Sequence, residues 1–237
     1  MATTTQSAEV EGGTYLLTFL QKHEDFRLPE LNALLKMNGL EDPSVVYDLK
    51  DYRHDLPYLK IRLPSDKVAA SVVDRGILIK SVMHLWGEGS TYEEAAAETM
   101  KLPSDVTAPH MAPDASWAVF VGAYGKSLSL DDQEASRRFF RHLDFKGPVK
   151  CANPDSIFWV LEEHAPGKDG LVPPDSAPSR IYFSREVCKS SGRGLVARCD
   201  LKKRAYLGPT SMDCELSLVM ANMGLVRKGQ LRESSRE

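Results

Sequence analysis

Apolar residues recur along this chain at two spacings, and the switches between them mark its elements. Residues 14–21 (TYLLTFLQ) mix β-branched, aromatic and leucine side chains in one short run, which predicts a buried strand. Leu28, Leu31, Leu34 and Leu35 then fall at helical spacing, with Pro29 in a first turn that tolerates proline and Asn38-Gly39 as the stop. Residues 44–49 and 58–63 are predicted strands parted by the polar stretch 51–57. Ser65-Asp66 ahead of Val68, Ala69, Val72 and Val73 predicts a capped second helix, and a strand over 77–86 closes the unit. The order β-α-β-β-α-β over 14–89 is that of a ferredoxin-like domain.

After Gly87-Glu88-Gly89 a second unit is expected over 90–194. It reads as a short alanine-rich helix (92–100), a Pro/Ser/Asp-rich connector (102–115), a strand (116–123) and a helix (128–143). The helix carries Ser129, Asp131 and Asp132 at the positive end of its dipole. A strand follows at 156–162, then a Gly/Pro/Asp loop at 167–178. Residues 180–187 and 194–206 read as two arms of a hairpin around Ser190-Ser191-Gly192-Arg193-Gly194. Residues 212–223 place Leu216, Val219, Met220 and Met223 on one helical face, with Ser211 as cap. Nothing downstream is apolar enough to cover that face. The fold class is therefore α+β: a ferredoxin-like N-terminal domain, a small α/β module, and a last stretch, 195–237, holding one further helix.

Composition sets bounds on function. At 42% hydrophobic and 27% charged, this is ordinary globular material. Its longest apolar runs are far shorter than the roughly 20 residues that cross a bilayer, so no membrane partner is expected. Residues 1–13 have neither a basic cluster nor an apolar core, so a disordered tail is expected there and not a signal or transit peptide. Cys151, Cys188, Cys199 and Cys214 lack metal-ligand spacing, and buried free thiols in a reducing, cytoplasmic setting are the expectation. Net charge is −3, yet residues 180–237 hold 12 basic and 6 acidic side chains. One end of the chain is suited to a polyanion; a solvated face without a partner is the other reading.

Two constellations fit that polyanion. On the helix at 128–143, a rotation of about 100° per residue puts Arg137, Arg138 and Arg141 together, with Phe139 and Leu143 opposite. Arginine forks match phosphate oxygens. Arg180, Arg185, Lys189, Arg193, Lys202, Lys203 and Arg204 form a second basic stretch, interleaved with Tyr182, Phe183 and Tyr206. Those aromatics suit base stacking or, since alternate strand positions face inward, the core. Ser190–Gly194 lacks a Walker lysine and a G-x-G-x-x-G spacing. The six histidines make no ligand pair, and no nucleophile or metal site emerges. No glycine-rich methyl-donor turn and no Asp/Asn-Pro-Pro-aromatic tetrapeptide is present.

Three segments resemble a known family: His23-Glu24-Asp25-Phe26-Arg27-Leu28-Pro29-Glu30-Leu31, Ser81-Val82-Met83-His84-Leu85-Trp86-Gly87-Glu88-Gly89, and Lys202-Lys203-Arg204-Ala205-Tyr206-Leu207-Gly208-Pro209-Thr210-Ser211-Met212-Asp213. In this order they resemble the catalytic subunits of eukaryotic tRNA (guanine(10)-N2)-methyltransferases. The resemblance implies a ferredoxin-like domain, a THUMP-like domain that holds tRNA, and the first helix of a Rossmann-like methyltransferase domain. It further implies S-adenosylmethionine as methyl donor, a small zinc-binding activator subunit as partner, and Thr210, Ser211 and Met212 at the edge of the donor pocket. The family's D-P-F-x-G-x-G turn and D-P-P-Y tetrapeptide do not follow, so the expectation is a truncated member that binds tRNA without cofactor or catalysis. Two other readings stay open: that the biological protein is the full methyltransferase, and that this is a stand-alone RNA-binding or protein-interaction module.

Overall fold

The structure, a computed structural model, describes residues 12–165, 172–173, 176–203 and 211–227. Residues 1–11 of the tail expected at 1–13, most of the expected loop at 167–178, and Arg204, Tyr206 and Thr210 lie outside the described residues, while Gly13 already belongs to the first strand. Contact clustering divides the chain into two units, the first comprising Leu17–Val82 and Cys188–Glu237, the second Gly13–Leu16 and Met83–Val187. Strands β1 (Gly13–Phe19), β2 (Tyr58–Leu63), β3 (Ile79–Gly89), β4 (Trp117–Tyr124), β5 (Ser156–Glu163) and β6 (Arg180–Lys189) form one sheet in the order β2-β1-β3-β6-β5-β4. With seven α-helices interspersed among the described residues, the fold is α+β.

In the first unit the periodic segments fold as their spacing dictates. α1 (Arg27–Met37) buries Leu31, Leu34 and Leu35, and α2 (Asp66–Asp74) buries Ala69, Val72 and Val73 behind a Ser65 cap on the Val68 N–H. Arg27, fully buried, is held by backbone: its guanidinium donates to the carbonyls of Leu20, His54 and Leu56 at 2.6–3.1 Å, with the Glu24 carboxylate 3.6 Å away. The strand expected over 44–49 is absent. Asp42 and Asp48 each accept the N–H two residues on, from Ser44 and Lys50 at 2.9 Å, and wind the chain into two 3-10 turns, Pro43–Val45 and Leu49–Asp51. The local order is thus β-α-β-α-β.

Over its described residues, 194–203, the second hairpin arm expected at 194–206 is also replaced. After β6 the Ser190 N–H donates to Lys80 O, and the Ser191 hydroxyl donates to Asp74 Oδ1 at 2.6 Å. A Cβ on Gly192 would lie 2.5 Å from Gly76 O and 2.8 Å from Arg75 O, so only glycine permits this approach. The chain leaves that anchor as α6 (Gly192–Arg198), followed by a 3-10 turn at Leu201–Lys203.

α7 (Cys214–Met223) is covered from upstream. It packs on α1, and Val219, fully buried, joins Ile77 and Leu78 with Phe26, Val196 and Leu218 around them. Its inward face is Cys214, Glu215, Val219 and Asn222, whereas Met220 and Met223 are exposed. The apolar-stripe reading missed this because Asn222 is inside for its amide, which donates to Glu30 Oε1 at 2.8 Å and Arg75 O at 2.9 Å. Asp213, not Ser211, is the cap, accepting the Leu216 N–H.

In the second unit, β4 runs parallel to β5 in register from Trp117 opposite Ser156 to Tyr124 opposite Glu163, and β5 is antiparallel to β6. α3 (Tyr92–Thr99) precedes α4 (Ser104–Met111), a helix where a connector was expected. α5 (Leu130–Arg138) links the parallel pair and opens on a capping box between Ser129 and Asp132. It ends earlier than the predicted 143: bonds from Phe140 N to Arg137 O and from Leu143 N to Phe140 O tighten the chain to 3-10 winding. That tightening brings Phe140 and Leu143 into the core with Trp86, Ala95, Phe158, Val160, Ile181 and Phe183. Phe139, expected on the core side, is instead 38% exposed and stacks on Tyr92.

Candidate nucleic-acid interface

The three arginines of α5 and its 3-10 extension converge on one carboxylate. Glu134 lies 3.2 Å from Arg137 Nη1, 3.6 Å from Arg138 Nε and 2.9 Å from Arg141 Nη2. Arg138 and Arg141 are 64% and 69% exposed, so these pairs are solvent-screened and each holds its arginine by only about 0–1 kcal/mol. The group carries three positive charges against one negative. Arg137, Arg141 and Glu134 also border a cavity of about 330 Å³ whose walls include Trp117, Phe140 and Phe145.

The remaining candidate residues are divided between the two units. Arg180, in the second, pairs with Glu88 at 3.1 Å and lies over the Tyr182 ring. Arg185 is 8% exposed, and RNA does not reach a guanidinium so placed. Tyr182 and Phe183 are buried and belong to the core, not to a stacking surface. In the first unit, Lys189, Lys202 and Lys203 are exposed. Arg193 pairs at 2.9 Å with Glu215 and, with Lys22, His23 and Lys202, lines a cleft of about 900 Å³ that Asp200 and Asp213 also border. Arg204 lies outside the described residues.

Of the residues implied at a methyl-donor pocket, Thr210 is outside the described residues, and Ser211 and Met212 are exposed just ahead of the α7 cap. Among the described residues these two alone form no pocket for the donor. Among the described residues no helix is long and apolar enough to cross a membrane, and no His/Cys/Asp/Glu group could hold a metal ion.

Beneath the arginines is a buried polar cluster that sequence reasoning missed. Glu162 is 3% exposed; its Oε1 accepts from the Tyr92 hydroxyl and lies 3.0 Å from Ser136 Oγ, and its Oε2 lies 2.9 Å from His164 Nε2. Burial, and then the Glu162 carboxylate, push the Tyr92 phenol well above the usual tyrosine range. Burial likewise raises Tyr182, with Glu163 beside it.

Residues 13–193 match the model of the Tmrp11 THUMP N-terminal domain family, and the chain belongs to that family. It is 32% identical over 92% of its length to the tRNA (guanine(10)-N(2))-methyltransferase TRMT11 of Gallus gallus, covering 45% of that protein. To the Homo sapiens protein of the same name it is 30% identical over 92% of its length, covering 45%. To the Saccharomyces cerevisiae tRNA (guanine(10)-N(2))-methyltransferase it is 31% identical over 92%, covering 48%. The chain thus spans somewhat under half the length of the curated relatives it matches.

Proposed function

We propose that this chain is the tRNA-holding portion of a cytoplasmic tRNA (guanine(10)-N2)-methyltransferase. In that reading the N-terminal segment 14–89, a ferredoxin-like order short of one strand, and the THUMP-like segment 90–194 grip the RNA, and 195–237 leads towards a methyltransferase domain. The whole protein would move a methyl group from S-adenosylmethionine to the exocyclic N2 of guanine 10, assisted by a small zinc-binding subunit. This chain contributes binding.

The observation that carries the proposal is the convergence of Arg137, Arg138 and Arg141 on Glu134 at an exposed surface. Three guanidinium forks held at one weak carboxylate are already gathered for phosphate, which binds them bidentately. Lys202 and Lys203 add charge from the first unit, and Arg180, Lys189 and Arg193 are secondary contacts.

Titration of the chain with tRNA tests this. Three phosphate contacts predict an affinity that falls by about 20- to 40-fold over a fourfold rise in salt. Arg137→Glu/Arg138→Glu/Arg141→Glu should lose about tenfold or more in affinity and flatten that salt dependence, while Lys202→Ala/Lys203→Ala/Arg204→Ala loses less. If only the second variant loses tRNA while both keep their circular dichroism, the α5 site is wrong.

A further inference from the structure

The arginines sit on a short helix, and what fixes their direction is the buried cluster beneath them. α5 has nine residues before it tightens to 3-10 winding, too few to be stable on helix propensity alone. Ser136, immediately before Arg137, is 4% exposed, with its Oγ 3.0 Å from Glu162 Oε1 and 2.8 Å from Tyr92 Oη. Phe139, between Arg138 and Arg141, stacks on the Tyr92 ring with centroids 4.6 Å apart and planes 12° from parallel. Tyr92 therefore grips the arginine segment twice, by its hydroxyl through Ser136 and Glu162 and by its ring through Phe139. Behind Glu162, His164 Nε2 lies 2.9 Å from the second carboxylate oxygen, and Ser176 Oγ lies 3.3 Å from His164 Nδ1.

Apolar packing alone would bury this face without fixing its rotation about the helix axis. A rotation of about 20° at the roughly 6 Å radius of a side chain moves a guanidinium by about 2 Å. Charge-assisted bonds form within a few tenths of an ångström of 2.8 Å, so such a shift breaks a contact to phosphate. Glu162 takes the Tyr92 O–H at one oxygen and faces His164 Nε2 at the other, while the single Ser136 O–H is shared between Glu162 Oε1 and the Asp132 carbonyl, each 3.0 Å away; these contacts set that rotation, because each bond has a preferred direction as well as a distance.

We propose that Tyr92, Ser136 and Glu162 are positioning residues for RNA: they clamp α5 in the one rotational setting that presents Arg137, Arg138 and Arg141 together. The inference rests on the RNA-holding reading of that helix. Its distinguishing consequence is coupling: the clamp acts through the arginines, so it has no effect once they are gone.

The experiment is a double-mutant cycle on tRNA affinity. Tyr92→Phe removes one hydroxyl and leaves the ring on Phe139; the expected result is an affinity loss of about fivefold with a flatter salt dependence. In the Arg137→Glu/Arg138→Glu/Arg141→Glu background the same change should cost nothing further. Ser136→Ala is the second variant, because alanine raises helix propensity while cutting the clamp, so a merely structural role would leave affinity unchanged or improved. An unchanged affinity in both variants, a loss that adds in full to that of the arginine variant, or a Ser136→Ala protein that does not fold would each overturn the proposal. If the triple arginine variant itself keeps its affinity, the RNA reading of α5 fails and the clamp fails with it. If only the clamp variants are silent, the inference alone is lost.

Discussion

In each unit a buried glutamate ties down a helix, Glu30 in the first and Glu162 in the second, and the two do so differently. Glu30 accepts the backbone N–H groups of Ile77 and Leu78 at 2.9 and 2.8 Å and the Asn222 amide at 2.8 Å, joining α1, the start of β3 and α7. Glu162 is ringed by side chains only, those of Tyr92, Ser136 and His164. Backbone donors cannot turn round, whereas hydroxyls rotate and an imidazole changes tautomer. Both sets hold a helix in one setting, but only the Glu162 set can adjust its hydrogens when the carboxylate itself is changed.

The largest expected effect breaks that contrast at Glu30. Replacement by alanine strands three donors, two of them buried backbone N–H groups, and should cost on the order of 3 kcal/mol or more in urea unfolding. The sharper comparison is between the two amides. In Glu30→Gln the new NH2 faces an N–H whichever way it is turned, so about 1–3 kcal/mol is lost. In Glu162→Gln the neighbours can reorient, and the loss should be smaller. Equal losses would remove the distinction between the joints. Burial raises the Glu30 pKa despite its donors, which pull it down. A raised folded pKa means that the stability due to its protonation is full below the unfolded value of about 4.3 and is lost as pH rises through the folded value. The stability of the wild type relative to the non-titrating Glu30→Gln should therefore decline as pH rises above the unfolded value of about 4.3.

Next in size is Gly192→Ala, which tests whether the serine anchor and not α6 itself turns the chain away from a hairpin. The added Cβ meets backbone oxygen at 2.5 and 2.8 Å, and backbone cannot give way as a side chain would. A loss of about 1–3 kcal/mol is expected although alanine is the better helix former. A neutral or stabilising result would mean that α6 is fixed by its own propensity.

These joints also mark where the sequence could be read and where it could not. The strands at β1, β2, β3, β5 and β6 and the helices α1 and α2 follow from apolar runs and spacing: β1 and β6 are buried along continuous stretches, β2 on alternate residues, and the helices on one face. The arginine cluster follows from helical spacing, and Glu134, one turn before Arg137 and Arg138, was open to the same reading. The missed features depend on polar groups acting at long range: Asn222 turns α7 inward through Glu30, 192 residues away. Tyr92 meets Glu162 across 70 residues. Asp42, Asp48 and Ser190-Ser191 divert segments whose apolar content alone suggests strands. A hydrophobic pattern locates faces to be buried, but it does not name the polar residue buried among them.

The smallest effect on stability, and the most direct test of the exposed site, is Glu134→Gln. Its three ion pairs lie at a surface where Arg138 and Arg141 are more than half exposed, so removing the charge should change stability by less than about 0.5 kcal/mol. The effect on RNA runs the other way. Glu134 occupies the position among the guanidinium groups that a phosphate would take, and it repels phosphate by its own charge. Neutralising it should raise tRNA affinity about two- to fivefold at low salt, with the advantage shrinking as salt screens the site. The amide still accepts from an arginine, so the side chains stay gathered while the competitor is gone. A fall in affinity would show that the carboxylate is needed to hold the forks in place. The arginines would then depend on Glu134 as well as on the buried clamp for their direction, and the contrast between a rigid and an adjustable joint would extend to the surface itself.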